Sequence, residues 1–269
     1  MKRIAVAQAP SLPGQLDRNT RQAEDLISAA ADNGADIVVL PELFLCGYDI
    51  AGIARDPSAY VVSPDGLHCQ RIAQKAADCE TAVIVGAAIA TATGTSNAAL
   101  VFAPDGTIVH CYHKAKLWGD EAKVFVPGAG PVVVDLAGTR IGLAICFDAG
   151  FPEHTRALAL AGADVIACPA AFAKGAERHR YEIYFASRAL ENTLVVAVSN
   201  AVGLQGGLEM FGESALFDPW GREIARVAGT TGFETTLIDK HEIARAREEL
   251  PYLALLDSNL TKVPIIEWS

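Results

Sequence analysis

One segment is written twice in this chain. Gly34-Ala-Asp-Ile-Val-Val-Leu-Pro41 returns as Gly162-Ala-Asp-Val-Ile-Ala-Cys-Pro169, each copy following an alanine-rich helical stretch and a strand that begins Arg-Ile, at Arg3 and at Arg140. Agreement in both order and residue type makes internal duplication the natural reading. Around the first copy, apolar runs that read as strands at 4–8, 37–40, 82–89, 98–102 and 107–112 alternate with helical patterns near 19–33 and 66–79. The turn residues Pro104-Asp-Gly106 separate the last two strands. The first half therefore reads β-α-β-α-β-β-β. Two such β-α-β units with added hairpins predict an α/β chain of two mixed sheets face to face, with helices outside.

Three reactive side chains stand where apolar strands end. Glu42 closes Asp36-Ile-Val-Val-Leu-Pro-Glu42, and Cys146 closes Arg140-Ile-Gly-Leu-Ala-Ile-Cys146, with Phe147-Asp148 following. Lys114 comes just after the run Thr107-Ile-Val-His-Cys-Tyr112. Polar groups at the carboxyl ends of buried strands mark the usual crevice of an α/β enzyme. A carboxylate, an amine and a thiol held together can deprotonate a nucleophile, stabilise an oxyanion and form a thioester. That combination suits hydrolysis of an amide. In the second copy Ala170 stands where Glu42 stands, and Gln8 falls near the position matched by the Cys146 strand end. One half would then donate the base and the other the nucleophile, with the site between them.

With those motifs in order, the chain resembles the nitrilase superfamily of carbon–nitrogen hydrolases. The resemblance continues at Phe151-Pro-Glu153-x-x-Arg156, Arg188-Ala-Leu-Glu-Asn192, Phe211-Gly-Glu-Ser214 and Asp218-Pro-Trp-Gly221, and so covers nearly the whole chain. It implies an internally duplicated four-layer α-β-β-α sandwich, with Glu42 as general base, Lys114 with a backbone N–H near Phe147 as oxyanion stabiliser, and Cys146 as nucleophile. Glu121, ahead of Phe125-x-Pro-Gly128, resembles the second carboxylate of amidase-type members, which orients the lysine and substrate. A surface-loop carboxylate is the competing reading. Lys116 stands where relatives often have His, and would share a face with Lys114 if the strand continues. Asp148, Arg156, Arg188 and Glu191 read as structural ion pairs around the site.

Cys-Phe-Asp rather than Cys-Trp-Glu points within the family to amidases and carbamoyl hydrolases over nitrilases. Gly150 occupies a position where several relatives carry Arg, which removes a contact for a charged substrate. The expected substrate is a small, uncharged or weakly polar aliphatic primary amide, with Tyr48, Trp118, Phe147, Phe172 and Met210 as pocket candidates. An N-carbamoyl hydrolase, or an ω-amidase acting on a 2-oxo acid amide, stays open as the alternative, its substrate carboxylate met by Lys174, Arg178 or Arg180. A catalytically silent binding module on the same fold is disfavoured because all three reactive residues are present.

The remaining features exclude more than they assign. A net charge of −10 without a basic patch argues against nucleic acid and anionic membrane as partners. The six cysteines form no CxxC pair, and all but Cys146 read as small core hydrophobes. No phosphate-binding glycine loop accompanies Gly206-Gly207, and His110, Cys111 and His113 occupy alternating strand positions that disfavour one metal. No cofactor and no metal are expected. The apolar runs are too short to span a bilayer, and the start enters a strand rather than a signal peptide, so a cytoplasmic enzyme is expected. No linker divides residues 1–269, which read as one domain. Its tail, 239–269, runs from a polar helix-like stretch to the apolar end Val263-Pro-Ile-Ile-Glu-Trp-Ser269. That tail would pack at a subunit interface of a homodimer or higher homo-oligomer, with packing on its own domain left open.

Overall fold

The computed structural model describes residues 1–136 and 138–256. The first half runs β1 (Lys2–Gln8), α1 (Leu16–Asp32), β2 (Ile37–Val39), α2 (Ile50–Arg55), β3 (Val61–Val62), α3 (Leu67–Asp78), β4 (Ala82–Thr91), β5 (Gly94–Phe102) and β6 (Ile108–His113). The second runs β7 (Val132–Leu136), β8 (Thr139–Leu143), α4 (Pro152–Leu160), β9 (Val165–Ala170), α5 (Ala176–Asn192), β10 (Val195–Asn200), β11 (Val202–Gln205), β12 (Leu208–Phe211), β13 (Ala215–Phe217), β14 (Glu223–Arg226), β15 (Gly232–Ile238) and α6 (Lys240–Glu249).

The repeated Gly-Ala-Asp has one structural meaning in both copies. Gly34 and Gly162, at φ +79° and +88°, stop α1 and α4 in the left-handed conformation that glycine adopts most readily. Gly34 N–H donates to Ala31 and Ala35 N–H to Ala30; Gly162 donates to Ala159 and Ala163 to Leu158. This pair of bonds satisfies carbonyls that a helix end otherwise leaves open. The aspartate then starts the next strand: Asp36 accepts from the Arg3 backbone N–H at 2.7 Å, and Asp164 from Arg140 at 3.0 Å. β2 pairs parallel with β1 and β4, as β9 does with β8 and β10.

One mixed sheet has the order β15-β1-β2-β4-β5-β6, with β3 on β4; the other has the order β14-β13-β10-β9-β8-β7. Side chains alternate along each strand and sort into two layers. Ile4, Val6, Ile37, Val39 and Ile84 meet Ile141, Leu143, Val165 and Ala167 between the sheets. Ala5, Ala7, Val38, Leu40, Val83 and Val85 face the other way, onto Ala23, Ile27 and Ala30 of α1 and Cys69, Ile72 and Ala76 of α3. In α1 the buried positions 19/20, 23, 26/27 and 30 recur at helical spacing. α4 and α5 cover the second sheet through Leu158, Ala159, Tyr181, Phe185 and Ala189. The result is the four-layer α-β-β-α sandwich.

One expectation needs correction. The element α2 and the short β3 interrupt the predicted first half; α2 is too short to show periodicity and is held by the Asp49 side chain accepting from Gly52 N–H at 2.9 Å. Gln8, at the matching strand end, has a structural part: its amide bonds the Ala228 and Thr230 carbonyls and its oxygen accepts from Ser214, tying down the 211–230 region. Of the tail, α6 packs on its own domain, with Ile243 and Ala246 buried and Arg247 Nη2 donating to Ala163 O. Residues 257–269, with the apolar end, lie outside the described residues. No helix among the described residues is long and apolar enough to cross a membrane.

Gly86 in β4 shows how tightly the end of β2 is seated. A Cβ there would stand 2.3 Å from Pro41 O, 2.4 Å from Leu43 N and 2.7 Å from Glu42 Cα. All three are backbone atoms, so only a shift of the Glu42 segment makes room. Gly86→Ala should therefore cost about 1–3 kcal/mol of stability in urea unfolding, the usual range for overpacking. It should also lower ammonia release from an amide at least tenfold, through displacement of Glu42. Unchanged stability and turnover would show that the strand accommodates the methyl group.

Candidate active site

The sheet ends bring together side chains far apart in sequence. Leu40 N–H still bonds Ile84 O, and the chain then turns away through Pro41, so that Glu42 N–H reaches the Ala170 carbonyl at the end of β9 at 3.4 Å. The two copies of the repeat thus meet where one has Glu and the other Ala. Lys114 is the first residue past β6, its N–H bonded to Asn97 O at 2.8 Å and its carbonyl to Gly128 N–H at 2.8 Å. Cys146 opens the 3₁₀ turn Cys146–Gly150 after β8, at φ +45°. A non-glycine residue in that region costs about 1–3 kcal/mol and persists only where its surroundings hold it.

What holds it is Asp148. Its Oδ2 accepts from Ile145 N–H at 3.0 Å and from the Tyr112 hydroxyl at 2.7 Å, while Oδ1 accepts from Lys116 N–H at 2.8 Å. One buried carboxylate therefore binds the nucleophile turn to the strand end that carries Lys114. This corrects the ion-pair expectation for Asp148. Arg188 does pair with Glu191 at 2.6 Å and also donates to Ala149 O, whereas no ion pair is seen for Arg156 among the described residues.

Lys114 is fully buried between two buried carboxylates. Its Nζ lies 2.6 Å from Glu42 Oε1 and 2.8 Å from Glu121. Glu121 is no surface-loop carboxylate: it accepts from the Tyr48 hydroxyl at 2.7 Å and from Trp118 N–H at 2.9 Å. Asn97 Nδ2 donates to Glu42 Oε1 at 2.7 Å, and Glu42 Oε2 is buried without a protein partner among the described residues. Burial pushes the Glu42 carboxyl up to about 7, even against the charge of Lys114. For Lys114 burial pulls the other way, but the two carboxylates outweigh it and raise the ammonium above its ordinary value. Cys146, 8 % exposed, has its thiol raised by burial and by Glu42, with Lys114 and the Ala171 N–H opposing. Burial thus favours the neutral thiol of Cys146 and raises the proton affinity of Glu42.

β6 ends at His113, so Lys116 does not share a strand face with Lys114. It is exposed and lies over the Phe151 ring, 5.2 Å from its centre, beside a cavity of about 480 Å³ that none of Glu42, Lys114, Glu121 or Cys146 lines. A second cavity, of about 300 Å³, is lined by Tyr48, Ile50, Trp118, Ala171, Glu177 and Leu208 among others; none of the four lines it either, but Tyr48 and Trp118 bond Glu121 and the Ala171 N–H lies at Cys146. Phe147 packs on Trp118 with ring centres 4.8 Å apart. Phe172 is instead buried in an aromatic cluster with Tyr181, Tyr184 and Phe185, and Met210 is buried in the core beside Tyr48.

Asn97 and the acceptor role of Asp148 escaped the sequence reading. The available signal was Ser96-Asn97 at the head of the otherwise apolar run Ala98-Ala-Leu-Val-Phe102.

Residues 3–248 match the family model described as carbon-nitrogen hydrolase. A nitrilase of Pyrococcus abyssi is 35% identical over 220 residues, covering 81% of this chain and 82% of the relative. A 2-oxoglutaramate amidase of Bacillus subtilis is 31% identical over 242 residues, covering 88% and 91%. Among solved structures, an amidase of Nesterenkonia sp. AN1 superposes with a TM-score of 0.85 at 27% identity, over 97% of this chain and 98% of that one. That amidase has also been solved with butyramide, and with the acetamide moiety of fluoroacetamide added covalently at its active-site cysteine. The fold, the order of the motifs and the match over nearly the whole length make this chain a member of the carbon–nitrogen hydrolase family, an amidase-type hydrolase of the nitrilase superfamily.

Proposed function

We propose that this enzyme hydrolyses a small, uncharged or weakly polar aliphatic primary amide to the carboxylic acid and ammonia, through a thioester on Cys146. The observation that carries the reading is the cavity whose wall includes Tyr48 and Trp118, the partners of Glu121. It is small, and its two lining carboxylates are already paired, Asp120 with Lys123 at 2.6 Å and Glu177 with Arg180 at 3.1 Å. The lining offers a substrate carboxylate no cation of its own. The Nesterenkonia amidase with butyramide supports the same class of substrate.

In the proposed mechanism Glu42 takes the thiol proton through Oε2, and the sulfur attacks the amide carbon. Because the free thiol holds its proton tightly, the transfer accompanies attack rather than preceding it. Lys114 and the Phe147 N–H, in the first turn of the 3₁₀ segment where amides lack helical partners, hold the oxyanion. Glu42 returns the proton to the nitrogen and ammonia leaves. Water, deprotonated by the same carboxylate, then cleaves the thioester. Glu121, steadied by Tyr48 and Trp118, keeps Lys114 charged and in place.

A second reading, an ω-amidase acting on a 2-oxo acid amide, is favoured by Arg180. Its guanidinium lies 4.1 Å from the centre of the Trp118 ring at the cavity wall, and the Bacillus subtilis relative is named for such a substrate. Lys174 and Arg178 support it less, being exposed and paired with Glu209 and Glu213.

Ammonia release from propionamide, butyramide, propionitrile, an N-carbamoyl amine and 2-oxoglutaramate at equal concentration separates these readings. The simple amides should be fastest, since a carbonyl develops a full oxyanion for Lys114, whereas a nitrile develops charge on nitrogen and needs a further protonation. A fastest rate on 2-oxoglutaramate, lost in Arg180→Ala, would establish the second reading. Mass spectrometry of enzyme quenched with a slow amide should show the acyl group on the Cys146 peptide; an adduct on another cysteine would refute the assignment.

The raised carboxyl of Glu42 sets the pH dependence. As a base it works deprotonated, so kcat/KM should rise with pH through about 7 and fall about tenfold per unit below it. Stability runs in the opposite sense. A folded pKa raised above the ordinary value for glutamate contributes stability at low pH that is lost as the pH rises through about 7. A kcat/KM limb near the ordinary Glu value would remove Glu42 from the role.

The two lysines should separate sharply. Lys114→Ala strands two buried carboxylates, and removing one partner of a buried pair costs about 3–5 kcal/mol. Chemical unfolding should show that loss together with a collapse of turnover, whereas Lys116→Ala should change stability and turnover little. Equal turnover losses in both variants would leave the oxyanion role unassigned.

A further inference from the structure

We propose that Asn97 is a positioning residue for Glu42: it donates to Oε1 beside Lys114, confines the proton-accepting role to Oε2 and favours the carboxylate over the carboxyl. The inference rests on the reading of Glu42 as base.

The geometry supports it from two sides. Asn97 is fully buried on β5, opposite Ala88 in the antiparallel register. Its backbone carbonyl accepts the Lys114 N–H at 2.8 Å, and its side-chain nitrogen donates to Glu42 Oε1 at 2.7 Å. One residue thus fixes both the backbone of the lysine and the carboxylate of the base. Two strong donors, Asn97 Nδ2 and Lys114 Nζ at 2.6 Å, occupy Oε1, while Oε2 has no protein partner among the described residues. Only Oε2 then has a lone pair free for the thiol or for water.

The position also costs folding stability. Asn97 Oδ1 is buried without a protein partner among the described residues, and a buried acceptor left unmade is unfavourable. A small apolar residue, like Ala98 and Ala99 after it, would avoid that cost. The conflict between local packing and the polar group is the kind expected where a site constrains the residue.

Other groups that bear on Glu42 are Lys114 after β6, Glu121 in the 3₁₀ turn Gly119–Lys123, Tyr48 before α2, Cys146 in the turn after β8 and Cys168 on β9. Of the two side chains that donate to Glu42, Lys114 brings a full charge that also serves the oxyanion. Asn97 is neutral, so its removal changes the proton affinity of Glu42 without removing a charge.

The test is the pH profile of kcat/KM for butyramide hydrolysis in Asn97→Ala and Asn97→Asp, with thermal melts to confirm folding. Loss of a hydrogen bond to a charged group should move the acid limb up by about one to two pH units. Turnover at high pH should stay within a few-fold of the unaltered enzyme. Asn97→Asp, close in size, should move the limb upward as well, because two buried carboxyls facing each other compete to stay protonated. It carries the test if the alanine variant fails to fold. A limb that stays in place, whether turnover is unchanged or falls equally at every pH, would overturn the proposal and leave Asn97 a structural residue. Glu42→Gln distinguishes the two levels. If it retains turnover and the same limb, the base assignment itself fails; if it is inactive while the Asn97 variants keep the original limb, only the role of Asn97 falls.

Discussion

The buried ammonium of Lys114 is the point on which the rest of the site depends. A full charge at that depth is unfavourable unless matched, and here it is matched by two carboxylates at 2.6 and 2.8 Å. Those carboxylates come from different parts of the chain, Glu42 from the end of β2 and Glu121 from a 3₁₀ turn after β6. The requirement to keep the ammonium paired therefore holds three segments together. Gly86 and Gly128 show how closely they approach: a Cβ on either would collide with backbone of the Glu42 segment or, at 2.0 Å, with His113 O. The same charge that costs folding stability is held in place by its partners, and a fixed cation in low-dielectric surroundings acts strongly on an anion brought near it.

Electrostatics divides the labour among three of these groups. Burial drives the Glu42 carboxyl and the Cys146 thiol toward their neutral forms, and only Lys114, flanked by acids, is held more firmly charged. A site that stored a thiolate would place an anion beside two carboxylates. In the proposed mechanism the proton stays on sulfur until the carbonyl arrives, which avoids this and requires a base close enough to act during attack. The unpartnered Oε2 of Glu42 fits that requirement, and Asp148 keeps the nucleophile turn in register with it through bonds to Ile145 N–H, Tyr112 and Lys116 N–H.

Much of this was legible in the sequence because it depends on patterns that the chain must write locally. The repeat at Gly34 and Gly162 encodes a helix stop and a strand start, and the apolar runs ahead of Glu42 and Cys146 encode strands that end at the site. Glu121 was legible only through resemblance, since nothing local distinguishes a buried carboxylate in a short loop from an exposed one. Asn97 and Asp148 act through partners far away in sequence, at Glu42 and Tyr112, so their roles exist only once the strands pair. The shared face of Lys116 and Lys114 depended on the strand continuing: alternation along a strand predicts a face only while the strand lasts, and β6 stops at His113. Phe172 and Met210 were chosen as large apolar residues near the motifs, but size and proximity do not say whether a side chain faces a cavity or the core.

The duplication supplies the scaffold, and a difference in strand length supplies the asymmetry that chemistry needs. After the same Gly-Ala-Asp start, β9 continues for six residues as far as Ala170, whereas β2 runs for three and the chain leaves the sheet at Pro41. Proline has no N–H for a ladder bond, so it favours that departure. Yet Pro169 occupies the equivalent place inside β9, so proline alone does not decide the outcome. What differs is the continuation. Ala170 can remain between the sheets at no polar cost, while Glu42 could do so only with its charge compensated. Turning the chain at Pro41 brings that carboxylate to Lys114 and Asn97, and leaves the Ala170 carbonyl to accept the Glu42 N–H. Two nearly equivalent halves thus meet at one point, where the side chain of one is reactive and the backbone of the other supports it.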